Sequence, residues 1–141
     1  MSLIYCDSMV LIYWLENHPH FAPLVEAVIR KMGERGDRLC TGIFTVGEVL
    51  VGPYKKGKVD EIQRLSEYFA SSEITLLAFD LKAVRRYAQI RAQYRISPAD
   101  AIHLATASVA QVDLYLTNDS KLRSLVIEGI QFIAGLDGRI F

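Results

Sequence analysis

The sequence predicts an α/β fold built on a mostly parallel sheet, and three observations predict it. Short apolar runs suited to buried strands alternate with longer stretches of helical periodicity. About half of the residues, 51%, are hydrophobic and they are spread along the whole chain, enough to bury a core without disulfides. The length of 141 residues suits one compact unit, with no linker-like stretch to divide it, so residues 1–141 are expected to form a single domain.

The elements follow in order. Leu3 to Cys6 reads as a buried first strand, and Ser8 to Glu16 as a helix that stops near His18-Pro19. A second helix is expected from about His20 to Gly33, with Phe21, Leu24, Val25, Val28, Ile29 and Met32 on one face and Gly33 and Gly36 ending it. Arg38 to Thr41 is a short strand. Phe44 to Val51 begins a helix closed by Gly52-Pro53, and Val59 to Ala70 forms another through Ile62, Leu65, Tyr68 and Phe69. Ile74 to Phe79 is a third strand, and Asp80 caps the helix after it. Ser97-Pro98 opens a helix to about Ala110, because proline suits the first helical position. Leu114 to Leu116 is a fourth strand, a short helix follows Asp119, and Ile130 to Ile133 forms an edge strand.

Composition narrows the function classes. Sixteen basic residues balance sixteen acidic ones, which argues against a highly basic nucleic-acid coat while leaving room for a local basic groove. Cys6 and Cys40 lie in apolar runs without a CxxC spacing and read as reduced core cysteines. The N-terminus lacks the pattern of a signal peptide, and no apolar run is long enough to span a bilayer, so the expected compartment is the cytoplasm.

In open α/β sheets chemistry lies beyond the carboxyl ends of the strands. Four acids are expected there. Asp7 follows the first strand directly, and Asp119 follows the fourth after Thr117 and Asn118. Glu48 and Asp100 lie early in helices. Converging carboxylates repel one another unless a cation neutralises them, and hard divalent ions prefer oxygen ligands. Such an ion acidifies bound water and stabilises charge on a phosphoryl oxygen, which points to phosphodiester hydrolysis. Each acid has an ordinary alternative. Thr45-x-x-Glu48 and Ser97-x-x-Asp100 both read as capping boxes, and Asp7 and Asp119 both stand where N-caps stand.

The chain resembles the PIN-domain family, and more narrowly its VapC-type toxins. IYCDSMVLIYWLE is similar to the family's opening strand, aspartate and helix, and TVGEVLVGP to the helix with its second acid. SPADAIHLATA and LYLTNDSKL resemble the third and fourth acidic segments. The resemblance covers essentially the whole chain and implies a three-layer α/β/α fold with a five-stranded sheet. It implies an acidic metal site at Asp7, Glu48, Asp100 and Asp119, with Ser8, Thr117 and Asn118 as supporting polar residues. It further implies Mg²⁺ or Mn²⁺ dependence, cleavage of RNA, a homodimer and a small antitoxin that blocks the site. Cys6 stands where the family more often has an aliphatic residue and reads as a core substitution. His103, one turn after Asp100, either contacts a ligand carboxylate or substrate or is a satisfied, partly buried histidine; it is left outside the catalytic set.

Basic candidates for holding RNA are Lys55, Lys56, Lys58, Arg91, Arg95, Lys121 and Arg123, each of which, taken singly, better suits a solvated surface. Two other α/β classes fit poorly. A phosphatase of the haloacid-dehalogenase type needs a second aspartate where Met9 stands, and a phospho-receiver needs paired acids near strand one.

Overall fold

A computed structural model describes residues 1–137 and 140. The elements run β1 (Leu3–Cys6), α1 (Ser8–Leu15), α2 (Ala22–Arg35), β2 (Arg38–Gly42), α3 (Ile43–Lys55) and α4 (Val59–Ala70). They continue through β3 (Thr75–Leu77), α5 (Leu81–Gln93), α6 (Pro98–Val109), β4 (Leu114–Leu116), α7 (Ser120–Arg123) and β5 (Phe132–Ala134). The strands form one five-stranded sheet in the order β3-β2-β1-β4-β5. Every pairing is parallel, so the expectation of a mostly parallel sheet is met in full.

The layering follows from the period of two along each strand. Ile4 and Cys6 of β1 pack into a core with Val10, Val25, Val49 and Phe69 from α1 to α4. Tyr5, between them, points into the opposite core with Leu104 and Ala105 of α6, Ile90 of α5 and Leu122 of α7. Both faces of the sheet are thus covered, which explains why the strands read as apolar runs with no solvent-facing polar stripe. Cys6 and Cys40 are free and buried. Burial pushes the Cys40 thiol up to about 12, so both behave as core residues.

Several boundaries differ from the sequence pattern, each for a local reason. Helix α2 starts later than His20 because the His18 ring accepts the backbone N–H groups of His20 and Phe21, at 3.2 and 3.1 Å. It ends at Gly36, whose φ of +74° provides a left-handed cap, while Gly33 stays helical. Helix α3 runs through Gly52-Pro53 to Lys55, because Pro53 is buried and the bond from Lys56 N to Gly52 O, 3.1 Å, keeps the last turn closed. Strand β3 is shorter than Ile74 to Phe79, and β5 starts after Ile130, which is reached from Gly129 at φ +93°. Among the described residues no helix is long and apolar enough to cross a membrane.

Candidate functional site

The strand order fixes where a site forms. From β1 at the centre the chain winds outward through β2 and β3, then returns to add β4 and β5 on the other side. The order reverses between β1 and β4, and the crevice beyond their carboxyl ends is the place for a ligand in such a sheet. Asp7 leaves β1 at that point and Asp119 lies just beyond β4. Asp100, in the first turn of α6, and Glu48, in α3, complete the ring. All four line one cavity of about 280 Å³, together with Ser8, Met9, Tyr13, Ala99, His103 and Asn118.

Capping and site roles turn out to overlap. Asp7 caps α1 by accepting from Val10 N at 3.1 Å, and Asp119 caps α7 by accepting from Lys121 N at 2.9 Å. Ser97 caps α6 by accepting from Asp100 N at 3.1 Å, which leaves the Asp100 carboxylate out of the cap. The capping reading fails for Glu48. Gly42 is the N-cap of α3, and Thr45 is buried inside that helix. Thr117 supports both sides of the crevice: its hydroxyl accepts from Asp119 N at 3.1 Å and also stabilises the charged form of Asp7.

The electrostatics are those of an anionic pocket whose one basic neighbour among these contacts is His103. Asp7 is only 7% exposed. Burial raises its pKa above the usual aspartate value; the Thr117 hydroxyl, the Val10 N–H and His103 pull it down, and the charge of Asp100 pushes it up again. Among the described residues no lysine or arginine forms an ion pair with any of the four acids. The carboxylates ring the cavity without converging on a point. Among the described residues no three Asp, Glu, His or Cys side chains are placed to hold one ion as they stand.

A PIN-domain family model matches residues 4–127, a span that contains all four acids. The chain belongs to the PIN domain family. No curated protein matches it in sequence. Among solved structures, this PIN domain is similar to VapBC2 from Rickettsia felis bound to a DNA fragment from their promoter. The TM-score is 0.76 at 15% identity, covering 94% of this chain and 98% of that one. It is also similar to DNA-bound VapBC from Salmonella typhimurium, with TM-score 0.73, 22% identity and coverage of 96% and 99%. A toxin–antitoxin complex from Klebsiella pneumoniae gives 0.65, 21%, 92% and 95%. At these identities the likeness is one of fold.

Two residues near the cavity lie outside the four acids: His103, which the sequence left between two readings, and Tyr115, which it did not single out. His103 is 2% exposed and its Nε2 lies 2.5 Å from Glu48 Oε1, so it is a satisfied core histidine that also touches one of the four acids, though not Asp100. Tyr115 is fully buried, and its hydroxyl has no hydrogen-bond partner among the described residues. Burial raises its pKa far above the usual tyrosine value, and the nearby charges of Asp7, Tyr5, Asp100 and Glu48 add to the rise. The spacing of His103 from Asp100 was a usable signal. Nothing local marks Tyr115, which in sequence is simply an apolar strand position.

Proposed function

We propose that this PIN domain is a divalent-metal-dependent endoribonuclease, the VapC-like toxin of a toxin–antitoxin pair. The single observation that carries the reading is the cavity at the strand-order reversal, lined by Asp7, Glu48, Asp100 and Asp119 with, among the described residues, no lysine or arginine paired to them. Burial already strains the ionised form of Asp7, and a bound cation is what would relieve it. The donor set is all oxygen, which suits Mg²⁺ or Mn²⁺ and does not suit a soft metal.

Asp7, Asp100 and Asp119 would hold the ion, directly or through water, and Glu48 would complete the set or orient the attacking water. When bound, the ion supplies an acidified water and takes up charge on the phosphoryl oxygen. The chain's own part is geometric. Caps from Val10 and Lys121 fix Asp7 and Asp119, so these carboxylates lose little freedom on engaging a ligand. The expected products carry a 5′-phosphate and a 3′-hydroxyl. Ser8, Thr117 and Asn118 act as supporting polar groups.

A second cavity, of about 440 Å³, shares Asp100 and Asp119 with the first and is bordered by Arg95 and Lys121. These two cations flank the acids on the side where an RNA backbone can pass. A small antitoxin partner and a homodimer complete the proposal, the first supported by the fold likeness to VapBC complexes. Cleavage of total RNA by purified protein in Mg²⁺ or Mn²⁺, abolished by EDTA and by Asp7→Asn, tests the nuclease. Wild-type activity in Asp7→Asn would refute the site. Metal-dependent cleavage without growth arrest on expression would favour an RNA-processing PIN nuclease, and binding without cleavage a non-catalytic module.

A further inference from the structure

We propose that His103, braced by Tyr5, is a positioning residue that fixes the Glu48 carboxylate at the wall of the acidic cavity. The inference rests on the metal-site reading above and assigns a part to two residues outside the four acids.

A glutamate on an open cavity wall has several rotatable bonds and gives up their freedom only at an entropic cost. Glu48, with its side chain 27% exposed, has that freedom available. His103 removes it. Its Nε2–H donates to Oε1 of Glu48 at 2.5 Å, from a side chain only 3% exposed. With Nε2 carrying the proton, Nδ1 accepts from the Tyr5 hydroxyl at 2.8 Å.

The brace cannot drift. Tyr5 is fully buried and stacked on Tyr115, with ring centroids 5.1 Å apart and planes 8° from parallel. Its hydroxyl sits where a Cβ on Gly42 would meet it at 2.8 Å, so the backbone at the end of β2 closes the far side. The chain of contacts therefore joins β1, α6 and α3: Tyr5 sets the imidazole, the imidazole sets one carboxylate oxygen, and the other oxygen carries no hydrogen bond among the described residues. Partners that orient a ligand in this way typically change metal affinity by roughly 10–100-fold when removed.

The test is Mn²⁺ binding, followed by electron paramagnetic resonance and calorimetry, on wild type, His103→Leu, His103→Gln, Tyr5→Phe, Glu48→Gln and the double variant H103L/E48Q. Urea unfolding in EDTA is measured alongside. His103→Leu should weaken Mn²⁺ by about tenfold. His103→Gln, which keeps an N–H donor, should recover most of that loss, and Tyr5→Phe should weaken binding less than His103→Leu. In the Glu48→Gln background, His103→Leu should add nothing. Wild-type Mn²⁺ affinity in His103→Leu overturns the proposal, as does an undiminished effect of His103→Leu in Glu48→Gln. Where His103→Leu fails to fold, Tyr5→Phe decides by the same comparison. A wild-type protein that binds no Mn²⁺ overturns the metal-site reading itself, and this inference with it.

Discussion

Replacing Gly42 by alanine tests whether the packing behind the acidic cavity is as tight as it looks. The backbone at Gly42 has φ −80° and ψ 154°, ordinary extended geometry open to any residue. On backbone grounds alone, Gly→Ala there would stabilise by about 0.4–1 kcal/mol, through the unfolded chain. The space around it says the opposite. A Cβ would meet the Tyr5 hydroxyl at 2.8 Å and Thr106 Cγ2 at 3.3 Å. Tyr5 is held by its stack on Tyr115 and its bond to His103, so it yields only by breaking one of them. Overpacking of this kind costs about 1–3 kcal/mol, and a lost hydrogen bond about 1 more. The expected net result is destabilisation by about 1–3 kcal/mol in urea unfolding. Gly33→Ala is the control. Nothing lies within 4 Å of its added Cβ, so a helix-interior gain of about 0.5–1 kcal/mol is expected. Adding Tyr5→Phe to Gly42→Ala removes the clashing oxygen and should return part of the loss. A Gly42→Ala protein at least as stable as wild type would refute the reasoning.

Three further outcomes are expected. Asp7→Asn keeps the helix cap but removes a buried charge. The raised pKa of Asp7 means the neutral acid favours folding below the unfolded value near 3.8, an advantage lost as pH rises through the folded value. In EDTA, Asp7→Asn should therefore be more stable than wild type at neutral pH, with the gap closing toward pH 3.8; a gap that does not vary with pH would reject burial as its cause. Tyr115→Phe removes an unpartnered buried hydroxyl and should raise stability by about 1 kcal/mol in the same assay, whereas a loss would mean that the hydroxyl has a partner in solution. Arg95→Ala and Lys121→Ala should each lower the slope of log affinity for single-stranded RNA against log salt by about 0.7 if the side chain meets a phosphate; unchanged slopes would move the RNA path elsewhere.

The sequence carried the fold because strands buried on both faces appear as compact apolar runs and helices as a longer period. LIYC and LYL could be read without any knowledge of their neighbours. Helix ends were harder to read, since they depend on contacts with no local signature. The His18 ring sets the start of α2 from outside the helix, and the burial of Pro53 lets α3 pass a residue that ordinarily stops one. As candidates, Asp7, Asp100 and Asp119 stood out because each sits beside a strand end or helix start, whereas Glu48 lies a turn further inside α3. Capping and cavity positions could not be separated in advance, because Asp7 and Asp119 each cap a helix and also line the cavity. The bond between Tyr5 and His103 spans 98 positions, and no periodicity reports a contact of that separation.

The central place of β1 has a consequence for how the molecule is made. Its first residue is tied to a distant part of the chain by the bond from Leu3 N to Asp113 Oδ2, 110 positions away, and its ladder with β4 is equally remote. During synthesis β1 can find β2 early but must wait for β4, which leaves one edge of a hydrophobic strand uncovered on the ribosome. The wall of the crevice that carries Asp119 arrives only with that late strand. Until β4 has been made and has paired with β1, the crevice has only one of its two walls.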